Sequence, residues 1–455
     1  MITAKAFAGK HYAVLGLARS GLATVEALLA SGARVTAWDS NPDAIENLRL
    51  SRAKSRDAGT GVSTALDTNG LGFADLDEVD LTQFDSIIVT PGLPLNRHPI
   101  VQRARDAGVE IIGDIELFAR ARAELPPHKV VGITGTNGKS TTTALVHHIL
   151  QTAGVPSLMG GNIGLPILSQ NPLPEGGVYV LELSSYQIDL TQSLDCDVAV
   201  LLNITPDHLD RYESFEAYAA SKARLFEMSR AGVFITTEPE YAIDMLQGLQ
   251  LHLRDKLGGV VAEGVPYFRP LDLSDRQSGW PSLQGPHNLQ NVVAAYLVCD
   301  DLFLCDEQIE HGLRTFPGLP HRMERIRELG GVLFVNDSKA TNAEAAAPAL
   351  AAYPKVRWIV GGQAKAETLG DTARHLDHVV AAYTIGEAGP MFAGLLRDAG
   401  VTVIECETLE NAVKRAAKDS QPGETVLLSP ASASFDQFKD FEARGDKFRE
   451  LVGAL

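Results

Sequence analysis

From Tyr12 to Leu428 the chain alternates short β-branched runs with segments of helical period, almost without interruption. That alternation argues for parallel sheets layered with helices, an α/β fold. Runs at Tyr12–Leu17, Arg34–Trp38, Ser86–Val89 and Val109–Ile112 predict a first set of strands, with a helix over Gly21–Ala30. A second set is predicted at Lys129–Ile133, Val178–Leu183 and Val198–Ile204, with helices from about Lys139 and around Phe215–Met228. A third is predicted at Val332–Asn336, Trp358–Gly361, Val379–Ile385, Val401–Glu405 and Thr425–Leu428. Ser51–Asp80 has little periodicity and several Gly, Asp and Thr residues, so it reads as a surface excursion.

At 455 residues the chain exceeds one ordinary core. Ala121–Lys129, with Pro126-Pro127, and Phe316–Pro320, with two prolines in five residues, mark boundaries. The expected domains are therefore 1–125, 126–320 and 321–455. The formal charge of −17 argues against coating nucleic acid or anionic membrane, both of which need a basic surface. A small anionic ligand needs only a few local cations, so it stays open. No signal peptide is apparent at the N-terminus, and no apolar run approaches the ~20 residues that span a bilayer. Cys196, Cys299, Cys305 and Cys406 form no C-x-x-C pair, which points to reduced thiols and a cytoplasmic protein.

The most informative stretch is Val130–Thr143, VVGITGTNGKSTTT: a buried strand, a glycine-rich turn, then a helix opening on Lys, Ser and Thr. Such a turn points backbone N–H groups into one concavity, and the helix N-terminus favours an anion there. Lys139 suits terminal phosphates, and Ser140 or Thr141 suits Mg²⁺ through its hydroxyl. A tight strand–helix connection would explain the glycines but not the adjacent Gly-Lys-Ser. The spacing departs from the standard phosphate loop, which has glycine where this chain has Ile133. Glu182 and His208 follow successive predicted strands, and strand ends gather at one sheet edge. A carboxylate and an imidazole there suit a divalent cation.

The GTNGKST loop resembles that of the Mur ligases and the related folylpolyglutamate synthetases, which join an amine to a carboxylate using ATP. Three further segments resemble the D-glutamate-adding branch of the Mur ligases: GLARSG at Gly16–Gly21, DSKATN at Asp337–Asn342, and LSPASASFDQF at Leu428–Phe438. The likeness runs the length of the chain, in the family's order. It implies a Rossmann-like N-terminal domain for UDP-N-acetylmuramoyl-L-alanine, a central P-loop ATPase-like domain, and a Rossmann-like C-terminal domain for D-glutamate.

Site residues follow from the same resemblance. ATP would meet Gly135, Thr136, Asn137, Gly138, Lys139, Ser140 and Thr141, with Asn288 and Asn291 toward adenine and Arg322 and Asp337 from the third domain. Thr141, Glu182, His208 and Lys222 would hold Mg²⁺ at two sites, with Lys222 carbamylated to N6-carboxylysine. On pattern alone Lys222 is one more helix lysine. The UDP end would meet Gly16, Leu17, Ala18, Arg19, Ser20, Asp39, Ser40, Thr90, Pro91 and Gly92, with Asn162 near the sugar and metal. D-Glutamate would meet Lys339, Thr341, Lys365, Ser434 and Phe441. The reaction implied is amide formation through an acyl phosphate, in peptidoglycan synthesis, by a monomer. Two rivals remain: a nucleotide-dependent switch, and a dinucleotide oxidoreductase resting on the Gly16–Gly21 run, whose second glycine position is Ala18.

Overall fold

A computed structural model describes residues 1–57, 70–205, 210–230, 232–234 and 271–455. They group into two compact units: Met1–Pro270 with Ala294–Ile309, and Leu271–Val293 with Glu310–Leu455.

The first unit contains two parallel sheets. The N-terminal one is built from β1 (His11–Leu15), α1 (Arg19–Ala30), β2 (Arg34–Trp38), α2 (Pro42–Asp57), β3 (Leu71–Phe73), β4 (Ser86–Val89), α3 (Ile100–Ala107), β5 (Glu110–Ile112) and α4 (Asp114–Ala121). Its order is β3-β2-β1-β4-β5, all parallel. The central one comprises β6 (His128–Thr134), α5 (Lys139–Thr152), β7 (Ser157–Gly161), β8 (Gly177–Glu182), α6 (Ser185–Asp189), β9 (Val198–Leu201), α7 (Phe215–Glu227) and β10 (Gly232–Phe234). Its order is β10-β9-β6-β8-β7, again all parallel. The expected surface excursion at Ser51–Asp80 is partly structured: α2 runs into it, and β3 adds an edge strand; residues 58–69 lie outside the described part.

The two sheets share one apolar core. Tyr12, Val14, Leu28 and Phe118 pack in the same cluster as Tyr179, Leu181, Leu183 and Ile188, and Phe118 meets Tyr179 edge-on at 5.0 Å. Each such buried large side chain is worth roughly 1.5–3 kcal/mol. Glu116 reinforces the joint: its Oε2 accepts from the backbone N–H groups of Gln192 and Ser193 at 2.7 and 2.9 Å.

In the second unit lie α8 (Pro286–Asp301) and α9 (Asp306–Thr315) in part, then β11 (Glu324–Leu329), β12 (Val332–Asn336), α10 (Ala343–Ala351), β13 (Val356–Gly361) and β14 (Val379–Ile385). There follow α11 (Gly389–Asp398), β15 (Val403–Glu407), α12 (Leu409–Asp419), β16 (Thr425–Leu428) and α13 (Phe441–Gly453). The order is β11-β12-β16-β13-β14-β15, parallel except for β11. Successive residues of β13 alternate between cores: Trp358 and Val360 on one face, Ile359 on the other. Burial on both faces is why these strands read as continuous apolar runs.

The four thiols are free; Cys196, Cys299 and Cys406 are buried and Cys305 is exposed. No helix among the described residues is long and apolar enough to cross a membrane.

Candidate active site

The register of the central sheet sets Ile133 of β6 beside Glu182 of β8, and Glu182 beside Gly161 of β7. On the other side Thr134 pairs with Leu201 of β9. The carboxyl ends of four neighbouring strands thus meet around the loop Gly135–Gly138. Gly138 sits at the cap of α5 with φ of +85°, left-handed backbone that favours glycine. It turns the chain so that the first amides of α5 face the loop.

Asn203, which the sequence reading passed over, clamps this loop. Its Oδ1 accepts from Asn137 N at 2.8 Å, and its Nδ2 donates to Asn137 O at 3.1 Å. Thr136 is held as tightly: its Oγ1 accepts from Thr205 N at 3.0 Å and lies 3.1 Å from the Tyr218 hydroxyl. Lys139 Nζ donates to the carbonyls of Gly135 and Thr136, both at 2.9 Å. Ser140 is buried and Thr141 half-buried at the start of α5. These internal bonds hold the loop in one shape, which favours phosphate binding by lowering the ordering cost.

Glu182 is buried at the end of β8. Asn162 donates its backbone N–H to Glu182 O at 2.8 Å and its Nδ2 to Oε1 at 3.1 Å. The other carboxylate oxygen, Oε2, is buried and accepts no hydrogen bond. A buried carboxylate oxygen left in that state is costly, and a hard divalent cation is a partner of the right chemistry. This oxygen therefore suits a hard divalent cation such as Mg²⁺, and Asn162 fixes the orientation of its carboxylate. His208 lies outside the described residues, and among those described no group of three or more His, Cys, Asp or Glu is arranged to hold a metal ion.

Lys222 is no ordinary helix lysine. It is buried on α7, its Nζ donates to Gly135 O at 3.0 Å, and it lies 4.7 Å from the centre of the Tyr218 ring. The preceding residue, Ser221, donates to Asp189 Oδ1 at 2.8 Å and to Ser185 O at 3.2 Å, pinning α7 to α6.

The N-terminal sheet brings a second group together. Leu15 of β1 pairs with Trp38 of β2 and Val89 of β4, so Gly16, Asp39 and Thr90 follow three adjacent strands. Asp39 holds the turn: Oδ2 accepts from Leu17 N at 2.6 Å, and Oδ1 from Asn41 N at 2.8 Å. Packing in the turn is close. A β-carbon on Gly21 would collide with the Gly16 carbonyl, and one on Gly16 with the Thr90 hydroxyl. Ala18 caps α1 with no side-chain hydrogen bond, and Arg19 and Ser20 open that helix. Gly16, Asp39, Ser40, Thr90 and Gly92 line one cavity of about 440 Å³, together with Leu93, Pro94 and His98.

In the second unit, Asn336 of β12 pairs with Leu428 of β16, and Leu428 with Ile359 of β13. The loops carrying Asp337–Asn342, Ser429–Phe438 and Gly362–Lys365 therefore leave the same edge. Asp337 is buried, accepting from Ser429 Oγ at 2.7 Å and Met323 N at 3.1 Å, and burial pushes its carboxyl up to about 7. The neighbouring Arg322 pulls it the other way, more weakly. Lys339 Nζ lies 4.7 Å from the centre of the Phe441 ring. Gln363 and Ala433 exchange two backbone hydrogen bonds at 2.9 Å, drawing the loops of Lys365 and Ser434 together. Ser434 is buried, Thr341 half-buried and Lys365 exposed.

Arg444, also missed in sequence, organises that edge from beneath. It is buried on α13 and donates to Ser338 O at 2.8 Å, Ser338 Oγ at 3.0 Å, Ser432 O at 3.0 Å and Ala433 O at 3.3 Å. Burial lowers its pKa to about 10, with Asp436 opposing. Asn288 and Asn291 are buried near the start of α8, where Asn288 Nδ2 donates to Gln284 O at 3.0 Å and Asn291 Nδ2 to Asn288 Oδ1 at 3.3 Å.

Comparisons with known proteins agree with this anatomy. Residues 10–113 match the model for the Mur ligase MurD-like N-terminal domain, 133–252 the Mur ligase middle domain, and 321–432 the Mur ligase glutamate ligase domain. A protein of Novosphingobium aromaticivorans named UDP-N-acetylmuramoylalanine--D-glutamate ligase is 56% identical over 100% of this chain and 97% of its own length. Proteins of the same name are 56% identical in Sphingopyxis alaskensis and 52% in Zymomonas mobilis, each over 100% of both chains. Among solved structures, MurF ligase of Thermotoga maritima in complex with ADP matches with a TM-score of 0.55 at 16% identity, covering 99% of this chain and 97% of that one. UDP-N-acetylmuramate-alanine ligase MurC of the same organism matches at 0.54 and 18% identity, covering 98% and 99%. These structural likenesses place the fold, three α/β domains of which the first and last are Rossmann-like. With relatives this similar over its whole length, the chain belongs to the Mur ligase family.

Proposed function

We infer that the protein is an ATP-dependent amide ligase that adds D-glutamate to UDP-N-acetylmuramoyl-L-alanine, a step of peptidoglycan synthesis. The observation that carries this reading is identity of 52–56%, end to end, with proteins bearing that name. The phosphate loop and the orphaned Glu182 oxygen supply the chemistry it requires.

A carboxylate is a poor electrophile, so its oxygen first takes the γ-phosphoryl group of ATP, which releases ADP and leaves an acyl phosphate. The D-glutamate amine then attacks, and phosphate leaves. In this reading Gly135–Thr141 cradle the phosphates, and Lys139 stabilises charge on the transferring group. Such catalysis is mostly positioning and electrostatics. Thr141, Glu182, His208 and Lys222, the last as its carbamate, would hold Mg²⁺, which neutralises phosphate charge when bound. Asn288, Asn291, Arg322 and Asp337 complete the ATP site. Gly16–Ser20, Asp39, Ser40, Thr90–Gly92 and Asn162 take the UDP-sugar, and Lys339, Thr341, Lys365, Ser434 and Phe441 take D-glutamate. The domains would be 1–125, 126–320 and 321–455, in a cytoplasmic monomer.

One assay tests it: phosphate release with UDP-N-acetylmuramoyl-L-alanine and ATP, supplied with D-glutamate, L-amino acids or no amine. Release that requires D-glutamate is expected. Equal release without amine would point to a nucleotide switch instead, and preference for an L-amino acid would reject the D-glutamate assignment.

A further inference from the structure

Glu182 ends a strand of the central sheet and Lys222 lies on its helix α7, whereas the cavity that suits the UDP end belongs to the N-terminal sheet. A substrate held by its uridine in that cavity delivers its carboxylate productively only if the two sheets are correctly spaced. At the cavity itself, Arg211 bridges the two sheets. Its Nη2 donates to Gly92 O at 2.8 Å and its Nη1 to Leu93 O at 3.0 Å, and both acceptor residues line the cavity. The bridge runs both ways, since Asn96 Nδ2 and Arg97 Nη2 donate to Asp210 O at 2.9 and 3.1 Å.

Behind the fork, the guanidinium lies 4.9 Å from the centre of the Tyr186 ring. Tyr186 follows Glu182 by four residues and sits in α6, whose start is fixed by a capping box between Ser184 and Gln187. The same ring stacks on Tyr212 at 6.0 Å, with 10° between planes. The Tyr212 hydroxyl donates to Asp189 Oδ2 at 2.8 Å and lies 3.2 Å from Ser221 Oγ, one residue before Lys222. A continuous set of contacts thus leads from the cavity wall, through Arg211 and two tyrosines, to the helices beside Glu182 and Lys222.

We propose that Arg211 is a positioning residue for the ligase reaction, clasping the Gly92–Leu93 wall of the UDP cavity to the α6–α7 side of the phosphoryl site. The proposal rests on the function inferred above. Only a planar, two-pronged donor spans consecutive carbonyls while lying on an aromatic ring, so lysine is a poor replacement. Misplacement of a reacting group by about 1 Å costs up to ~100-fold in rate. The effect should therefore fall on turnover of the UDP-substrate rather than on nucleotide binding.

The test compares wild type, Arg211→Ala, Arg211→Lys and an Asn96→Ala/Arg97→Ala double variant. Measured are kcat and KM for UDP-N-acetylmuramoyl-L-alanine at saturating ATP and D-glutamate, Mg-AMPPNP affinity by calorimetry, and Tm. Arg211→Ala should lose about 10- to 100-fold in kcat, with AMPPNP affinity within about twofold of wild type. Arg211→Lys should recover only part of the loss, and the double variant should shift kcat in the same direction. Wild-type kinetics in Arg211→Ala would overturn the proposal, as would loss of AMPPNP affinity in step with kcat. Wild-type turnover of D-glutamate in the same series tests the underlying function separately from the variant ratios.

Discussion

Lys139 and Lys222 aim their ammonium groups at one oxygen, the carbonyl of Gly135, at 2.9 and 3.0 Å. Two ammonium groups on one acceptor repel each other, and the burial of Lys222 reduces the solvent screening between them. The carbamylation proposed above would replace that positive charge with a negative one beside Lys139 and relieve the conflict.

Lys222→Ala should therefore abolish most turnover, by about 100-fold or more if a metal-holding carboxylate is lost. Added formate or acetate should restore part of it. Full activity without rescue, or loss that small carboxylic acids never mend, would remove the carbamate from the mechanism.

Asn162→Ala should raise the Mg²⁺ concentration needed for half-maximal activity, because Glu182 loses the donor that orients its Oε1. Loss of such an outer partner typically weakens metal affinity about 10- to 100-fold. A titration of rate against Mg²⁺ at saturating ATP reads this, and an unchanged midpoint would deny Asn162 the role.

Gly21→Ala should destabilise severely, since the new methyl meets the Gly16 carbonyl rather than a side chain that can move. Gly92→Ala is the control, having open space at its β-carbon. Thermal unfolding should separate the two, and a Gly21→Ala protein with the wild-type Tm would mean that the turn opens readily.

Asp337 links stability to pH. Its folded pKa is raised to about 7 from 3.8, chiefly by burial, so the folded state binds more protons between those values. Its contribution is fully present below pH ~4 and is lost as pH rises through about 7. Asp337→Asn keeps the shape and lets Ser429 reverse its hydroxyl. The variant should gain Tm relative to wild type at pH 8 more than at pH 5. An equal difference at both pH values would show that the carboxyl does not titrate in the fold.

Much of this architecture is legible in the chain. Arg34–Trp38, Ser86–Val89, Val332–Asn336, Val379–Ile385 and Thr425–Leu428 are strands with the predicted limits, because each is an apolar run between turn residues. Strands that escaped notice lie mostly at edges. β7 reads SLMGG, with glycines hiding its strand character, and β11 reads ERIREL, charged because an antiparallel edge faces water. The phosphate loop announces itself through Gly138-Lys139-Ser140, a pattern that packing alone does not require. Asn203, Arg211 and Arg444 do not, because each acts on backbone carbonyls or amides far away in sequence. Only the fold shows what a lone polar residue can reach.

The third sheet places β16 between β12 and β13, although it is the last strand in the sequence. During synthesis the five earlier strands emerge as two separated groups, β11-β12 and β13-β14-β15, with no pairing between them until Thr425–Leu428 leaves the ribosome. Apolar strand edges are exposed throughout that interval, which lengthens the time in which the nascent chain can aggregate. The region proposed to receive D-glutamate is therefore finished last, after nearly the whole chain has been made.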